Sequence, residues 1–120
     1  MKIAVTASGL DLNSPLDPRF GRASFFIIYD TEQKTFIVAS NEQNLNAPQG
    51  AGIQSAVNVA KTGASSVITG HCGPKAFKVL EEAKITVYQS SAATVQEALD
   101  QFLQGGLKMA DQADVEGHWV

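Results

Sequence analysis

Apolar residues fall in short alternating or continuous runs along this chain, interleaved in its second half with stretches at helical spacing. "KIAVTA" (2–7) reads as a first, largely buried strand. "FFIIYD" (25–30) and "TFIVAS" (35–40), joined by the turn "TEQK", predict an antiparallel hairpin. "SSVIT" (65–69) and "ITVYQ" (85–89) predict two more short strands. In "IQSAVNVAK" (53–61), Ile53, Ala56, Val57 and Ala60 share one helical face, and "TG" ends that helix. Pro74 suits the first turn of a second helix, where its missing N–H costs nothing, and Ala76, Phe77 and Leu80 form that helix's apolar face. A third helix follows in "ATVQEALDQFLQG", with Thr94 as N-cap, Glu97 three residues later as a capping box, and Gly105 and Gly106 at its end. The remaining "LKMADQADVEGHWV" has no clear period, so 105–120 reads as a candidate flexible tail.

The element order is therefore β β β α β α β α. Strand–helix alternation in the second half implies right-handed crossovers and a parallel sheet, while the hairpin supplies one antiparallel strand. With the first, third, fourth and fifth strands parallel, their C-terminal ends share one edge, where open α/β sheets bind ligands. Four connections meet there: the long loop 8–24, "NLNAPQGAG", "GHCGP" and "QSSAAT". The first of these runs seventeen residues and is rich in Gly, Pro, Asp, Asn and Ser. A connection that long is usually functional or mobile, and few of its residues look fit for a core.

Composition narrows the function classes. A chain of 120 residues supports one domain with a single core. The net charge of -3 gives no general attraction to nucleic acid or to an anionic membrane, so any anion site must be local. No apolar run approaches the ~20 residues of a membrane helix, and "MKIAVTASG" enters its strand without a separate apolar signal region. With one cysteine an intrachain disulfide is impossible, which fits a reducing cytoplasm.

The chemistry-bearing residues gather at the shared edge. In "TGHCGP" (69–74) the single cysteine, Cys72, stands beside His71 at the start of a helix. A thiolate there is favoured by the helix dipole, and the imidazole can ligate a metal or share a proton. A small buried residue in a strand-to-helix turn is the plainer alternative. One Cys and one His cannot close a tetrahedral zinc site or hold a cluster by four thiolates, so any cluster must bring its own sulfide, use a second subunit or accept few ligands. "LDPRFGRA" (16–23) holds both arginines, Arg19 and Arg22, whose forks suit oxyanions and anionic clusters. Their alternative is a solvated loop. "PQGAG" (48–52) offers Gly50 and Gly52 as a weak anion cradle at a helix start, and "GHW" (117–119) sets an aromatic and a histidine near the terminus. No Gly-x-Ser-x-Gly elbow or HExxH motif occurs, and the strand interiors hold no paired carboxylates for two-metal hydrolysis.

Taken together, "FGRASFFIIYD", "GAGIQSA", "ITGHCGPKAFKVL" and "GHW" resemble the dinitrogenase iron–molybdenum cofactor biosynthesis family, which includes NifX, NifY and the C-terminal domain of NifB. The resemblance spans nearly the whole chain and implies one domain over 1–120. It implies a ribonuclease H-like, three-layer α/β/α fold with a mixed five-stranded sheet in the order 3-2-1-4-5, strand 2 antiparallel. It also implies a non-catalytic carrier or scaffold for an iron–sulfur or molybdenum-containing cluster, exchanging it with donor and acceptor proteins. The residues it carries over are Arg19, Phe20, Gly21 and Arg22 in the first loop, and Gly70, His71, Cys72 and Gly73 in the turn, with Cys72 and His71 as metal ligands. Two rivals stand beside it: a small protein–protein or regulatory module with a structural cysteine, and, ranked last, a cysteine-dependent enzyme with Cys72 as nucleophile, for which no orienting partner is evident.

Overall fold

A computed structural model describes residues 1–41 and 51–110. Its strands are β1 (Lys2–Ala7), β2 (Phe25–Asp30), β3 (Thr35–Ser40), β4 (Ser66–Thr69), β5 (Thr86–Gln89) and β6 (Lys108–Met109). Its helices are α1 (Ala51–Lys61), α2 (Pro74–Glu82) and α3 (Val95–Leu103). The six strands form one sheet in the order β3-β2-β1-β4-β5-β6. β1, β4 and β5 are parallel to one another, and β2 is antiparallel to both β1 and β3.

The expected order 3-2-1-4-5 therefore holds inside a sheet of six strands rather than five. The extra strand lies in the stretch read as an aperiodic tail. It pairs antiparallel to β5 through Tyr88↔Met109 and Gln89↔Lys108, and Ala110 N–H donates to Val87 O at 2.8 Å. A two-residue edge strand is too short to display a period of two, so hydrophobic patterning could not reveal it. Residues 42–50, including Gly50, and 111–120, including the 117–119 "GHW", lie outside the described residues.

Alternation along β1 builds the layers. Ile3, Val5 and Ala7 point to one face with Ile27 and Ile68, where Val95, Ala98 and Leu99 of α3 cover them. Ala4 points to the other with Phe26, Ile28, Val67 and Val87, covered by Ala56 and Val59 of α1 and Ala76 and Leu80 of α2. β1 is buried from Ile3 to Ala7, as befits a strand covered on both faces. Burying each large aliphatic here contributes about 1.5–3 kcal/mol.

The buried stripe of α1 differs from the expected one. Gly52, Ser55, Ala56 and Val59 face inward, whereas Ile53 and Val57 are half-buried and Ala60 is exposed. Small residues bring α1 close, and a polar contact fixes its rotation. Ser55 Oγ accepts from Asn41 Nδ2 at 2.9 Å and donates to Gly21 O at 3.4 Å, while Asn58 Nδ2 donates to Asn41 Oδ1 at 3.2 Å. Asn41, itself fully buried, also donates from Nδ2 to Ala23 O at 2.9 Å. An amide in the core stabilises only when its groups are matched, so this network outranks the larger side chains in setting the helix face.

The loop 8–24 enters the core more than its composition suggested. Ser14, Leu16, Phe20, Gly21 and Ala23 are all buried. Phe20 is fully enclosed, with its ring centroid 5.5 Å from that of Phe26. Among the described residues no helix is long and apolar enough to cross a membrane. Phe20→Ala is expected to lower the stability of the protein by about 3–5 kcal/mol, the usual cost of an emptied aromatic site. Urea unfolding measures this, and a loss under 1 kcal/mol would mean that the loop rests on the surface.

Candidate functional site at the C-terminal edge of the parallel strands

β1, β4 and β5 end at Ala7, Thr69 and Gln89, and the chain leaves each of them at the same edge. After β1 it folds back on itself. Ser8 N–H donates to Pro15 O at 3.1 Å and Asp17 N–H to Thr6 O at 3.0 Å. Thr6 Oγ1 donates to Asp17 O at 2.6 Å and lies 3.1 Å from Thr69 Oγ1, so a buried hydroxyl pair ties β1, β4 and the loop together.

The decisive junction comes next. His71 N–H donates to Pro18 O at 2.7 Å, and Phe20 N–H donates to His71 O at 3.1 Å. These bonds make a one-rung parallel bridge between Arg19 and His71. The approach is so close that a Cβ on Gly70 would sit 2.7 Å from Pro18 O and 2.9 Å from Pro18 Cα. Glycine is required at 70 for space. Asp17 Oδ1 accepts from Arg19 N–H at 3.0 Å and shapes the turn that delivers Arg19 to this rung.

Beyond the rung the two neighbours of the turn part company. His71 is exposed. Cys72 is 3% exposed, packs in the core cluster that contains Phe20 and Ala76, and directs Sγ to Gly73 O at 3.7 Å. Gly73 is the N-cap of α2 in extended conformation and makes no side-chain cap; Pro74 follows as the first helical residue, as expected.

The third wall is the connection from β5 to α3. The expected capping box is present: Glu97 N–H donates to Thr94 Oγ1 at 3.2 Å. The Glu97 carboxylate accepts from Ala93 N–H at 3.1 Å, one residue earlier than the usual box. Val95 and Gln96 N–H donate to Ser14 O and Leu12 O at 3.0 and 2.8 Å, so carbonyls of loop 8–24 occupy the first amides of α3.

Between these walls opens a cleft of about 590 Å³. Leu16 and Pro18 form one side, Gly70 and His71 the base, and residues 89–93 the other side. Of the expected site residues, Gly70 and His71 line it, and Arg19 is joined to His71 by its backbone. Arg19 and Arg22 are exposed, and neither guanidinium forms an ion pair among the described residues. Phe20 and Gly21 are turned inward, as is Cys72, and Gly52 is buried in the first turn of α1 on another part of the edge. No group of three or more His, Cys, Asp and Glu side chains suited to a metal ion occurs among the described residues. Sequence reasoning placed "QSSAAT" at this edge without giving it a role. Its signal was a run of small and polar residues between a parallel strand and a helix N-cap.

The model of a family described as dinitrogenase iron–molybdenum cofactor matches residues 1–105. The chain belongs to this family. A Methanocaldococcus jannaschii protein is similar to it, 32% identical over 111 residues that make up 90% of each chain. The apo form of the orange protein from Desulfovibrio gigas is 40% identical, with a TM-score of 0.92 over 95% of this chain and 96% of that one. A Thermotoga protein of the DUF35 family is 34% identical, with a TM-score of 0.84 over 96% and 97% of the two chains. The iron–molybdenum cofactor family thus accounts for all the strands and helices up to α3, while β6 lies beyond the matched residues.

Two outcomes are expected from this geometry. Gly70→Ala forces Pro18 and the turn apart and is expected to destabilise by about 1–3 kcal/mol, as overpacking does, with a fall in urea midpoint as the measure. An unchanged midpoint would show that the rung yields freely. Alkylation of Cys72 in the folded protein is expected to be slow and to accelerate with denaturant, since the sulfur is reached only by opening the turn. Rapid labelling without denaturant would contradict the inward placement.

Proposed function

We propose that this protein is a non-catalytic carrier for a metal–sulfur cluster, iron–sulfur or molybdenum-containing, taken up at the cleft beside His71 and exchanged with donor and acceptor proteins in the cytoplasm. The observation that carries the reading is the family match together with the chemistry of the cleft. Its lining offers one imidazole and otherwise hydroxyl, amide and apolar groups, with no thiolate. Such a donor set does not suit a bare metal ion. It suits a preformed anionic cluster that brings its own sulfide and is held by hydrogen bonds, shape and charge. Arg19 and Arg22 supply positive charge on the adjoining loop, and exposed arginines that form no ion pair among the described residues can turn to a ligand at little cost in stability. The apo form described for the Desulfovibrio gigas relative supports a fold that takes up and releases a group.

Ligation by Cys72 belongs to this proposal only in a form where the 70–73 turn opens, because the thiol faces the core. That burial also favours the second reading, a regulatory or protein-binding module whose cysteine is structural. Neither reading assigns a catalytic step.

Anaerobic incubation with iron(II) and sulfide, and separately with tetrathiomolybdate, tests the proposal. The expected result is a coloured complex that survives gel filtration with metal in fixed ratio to protein. Changing Arg19 and Arg22 together to Gln is expected to weaken uptake by roughly tenfold, about 1.4 kcal/mol, while the urea midpoint stays put. His71→Ala is expected to weaken it as well, and Cys72→Ala to retain it. Loss of uptake in Cys72→Ala alone would move the thiolate onto the cluster. Absence of uptake with both probes would favour the regulatory module.

A further inference from the structure

The far wall of the cleft is held from behind by α3, through a residue that does not itself line the cleft. Ser90 is 8% exposed and lines the cleft; its N–H donates to Thr69 O at 3.0 Å. Its hydroxyl donates to Gln101 Oε1 at 2.8 Å and accepts from Ala92 N–H at 3.0 Å. A serine hydroxyl has one proton and can rotate. Giving that proton to Gln101 leaves the oxygen lone pairs for Ala92 N–H, so the glutamine decides how the hydroxyl is oriented. The main chain of 90–92 is then bent around Ser90 Oγ. The main chain of Gln101 is fixed near the end of α3, where its backbone carbonyl accepts from Gly106 N–H at 2.8 Å. The next residue of the wall, Ala93, is bonded to Glu97 of the same helix and accepts through its carbonyl from Leu16 N–H at 3.1 Å. Residues 90–93 are thus a short arch between β5 and α3, with Ser90 as the point where the helix grips it.

We infer that Gln101 is a positioning residue for the cleft: through the Ser90 hydroxyl it fixes the 90–92 arch in the shape that receives the ligand. The effect on ligand binding rests on the carrier reading, whereas the effect on the arch does not. Shape is what a cleft lacking thiolates must rely on, since a cluster held without covalent ligands gains its affinity from contacts already in place before it arrives.

The test uses the full chain in three variants. Gln101→Leu keeps the bulk and removes the acceptor, Gln101→Glu keeps an acceptor oxygen, and Ser90→Ala removes the relay. Amide exchange at Ala92 is expected to rise about tenfold in Gln101→Leu and to return near the parent rate in Gln101→Glu. Tetrathiomolybdate affinity is expected to fall about fivefold in Gln101→Leu and to fall no further when that change is added to Ser90→Ala, since both act through one hydroxyl. Additive losses in the double variant, or an Ala92 exchange rate untouched by Gln101→Leu, would overturn the inference. A parent protein that takes up no tetrathiomolybdate counts against the carrier reading, and Ala92 exchange then decides the role of Gln101 by itself.

Discussion

The C-terminal edge of the parallel strands depends on the approach of Pro18 to Gly70. Two backbone hydrogen bonds, His71 N–H to Pro18 O and Phe20 N–H to His71 O, can form only because residue 70 has no side chain. They place loop 8–24 beside the end of β4 and thereby aim Phe20 into the core, leave Arg19 and His71 outside, and set Leu16 and Pro18 as one wall of the cleft. A seventeen-residue connection carries a large conformational entropy. This rung, the Thr6–Asp17 bond and the burial of Leu16, Phe20 and Ala23 are what offset it.

The inward turn of Cys72 divides the labour at the site. A sulfur in the core contributes apolar packing beneath the turn, and the imidazole next to it meets solvent. Alternation along an extended segment makes such neighbours point opposite ways, so two adjacent candidate ligands seldom serve one ion. An arrangement with His71 outward, arginines on the flanking loop and a lining of hydroxyls and amides turns polar and positively charged groups to solvent at this edge.

Much of the fold was legible because its signals are local. The capping box at Thr94 and Glu97, the proline at the first turn of α2, and the short buried run of β1 each state their structure within a few residues. Convergence of 8–24, 70–73 and 89–93 at one edge followed from strand direction alone. What escaped was set by distant partners. The rotation of α1 is dictated by Asn41 and Gly21 through Ser55, so counting Ile53 and Val57 as inward misjudged a helix whose orienting residue is polar. β6 is chosen by the edge of β5 and has no pattern of its own. The inward face of Phe20 and Cys72 is likewise a tertiary matter, because chemistry-bearing residue types in a loop look alike whether they line a ligand or a core.

The buried amide network has a consequence for how this chain can vary. Asn41, Ser55 and Asn58 join the carbonyls of Gly21 and Ala23 in one set of donors and acceptors, drawn from β3's end, α1 and the arginine loop. Replacing Asn41, which is fully buried, takes a partner from Ser55, Asn58 and the Ala23 carbonyl at once, and a buried group left without its partner costs the most. A change at Asn41 is therefore tolerated most readily when a second change refills its partners, while the exposed arginines beside it can be exchanged one at a time without disturbing the core. The loop that presents the charge is held by residues that depend on one another, and the charge itself is tunable one residue at a time.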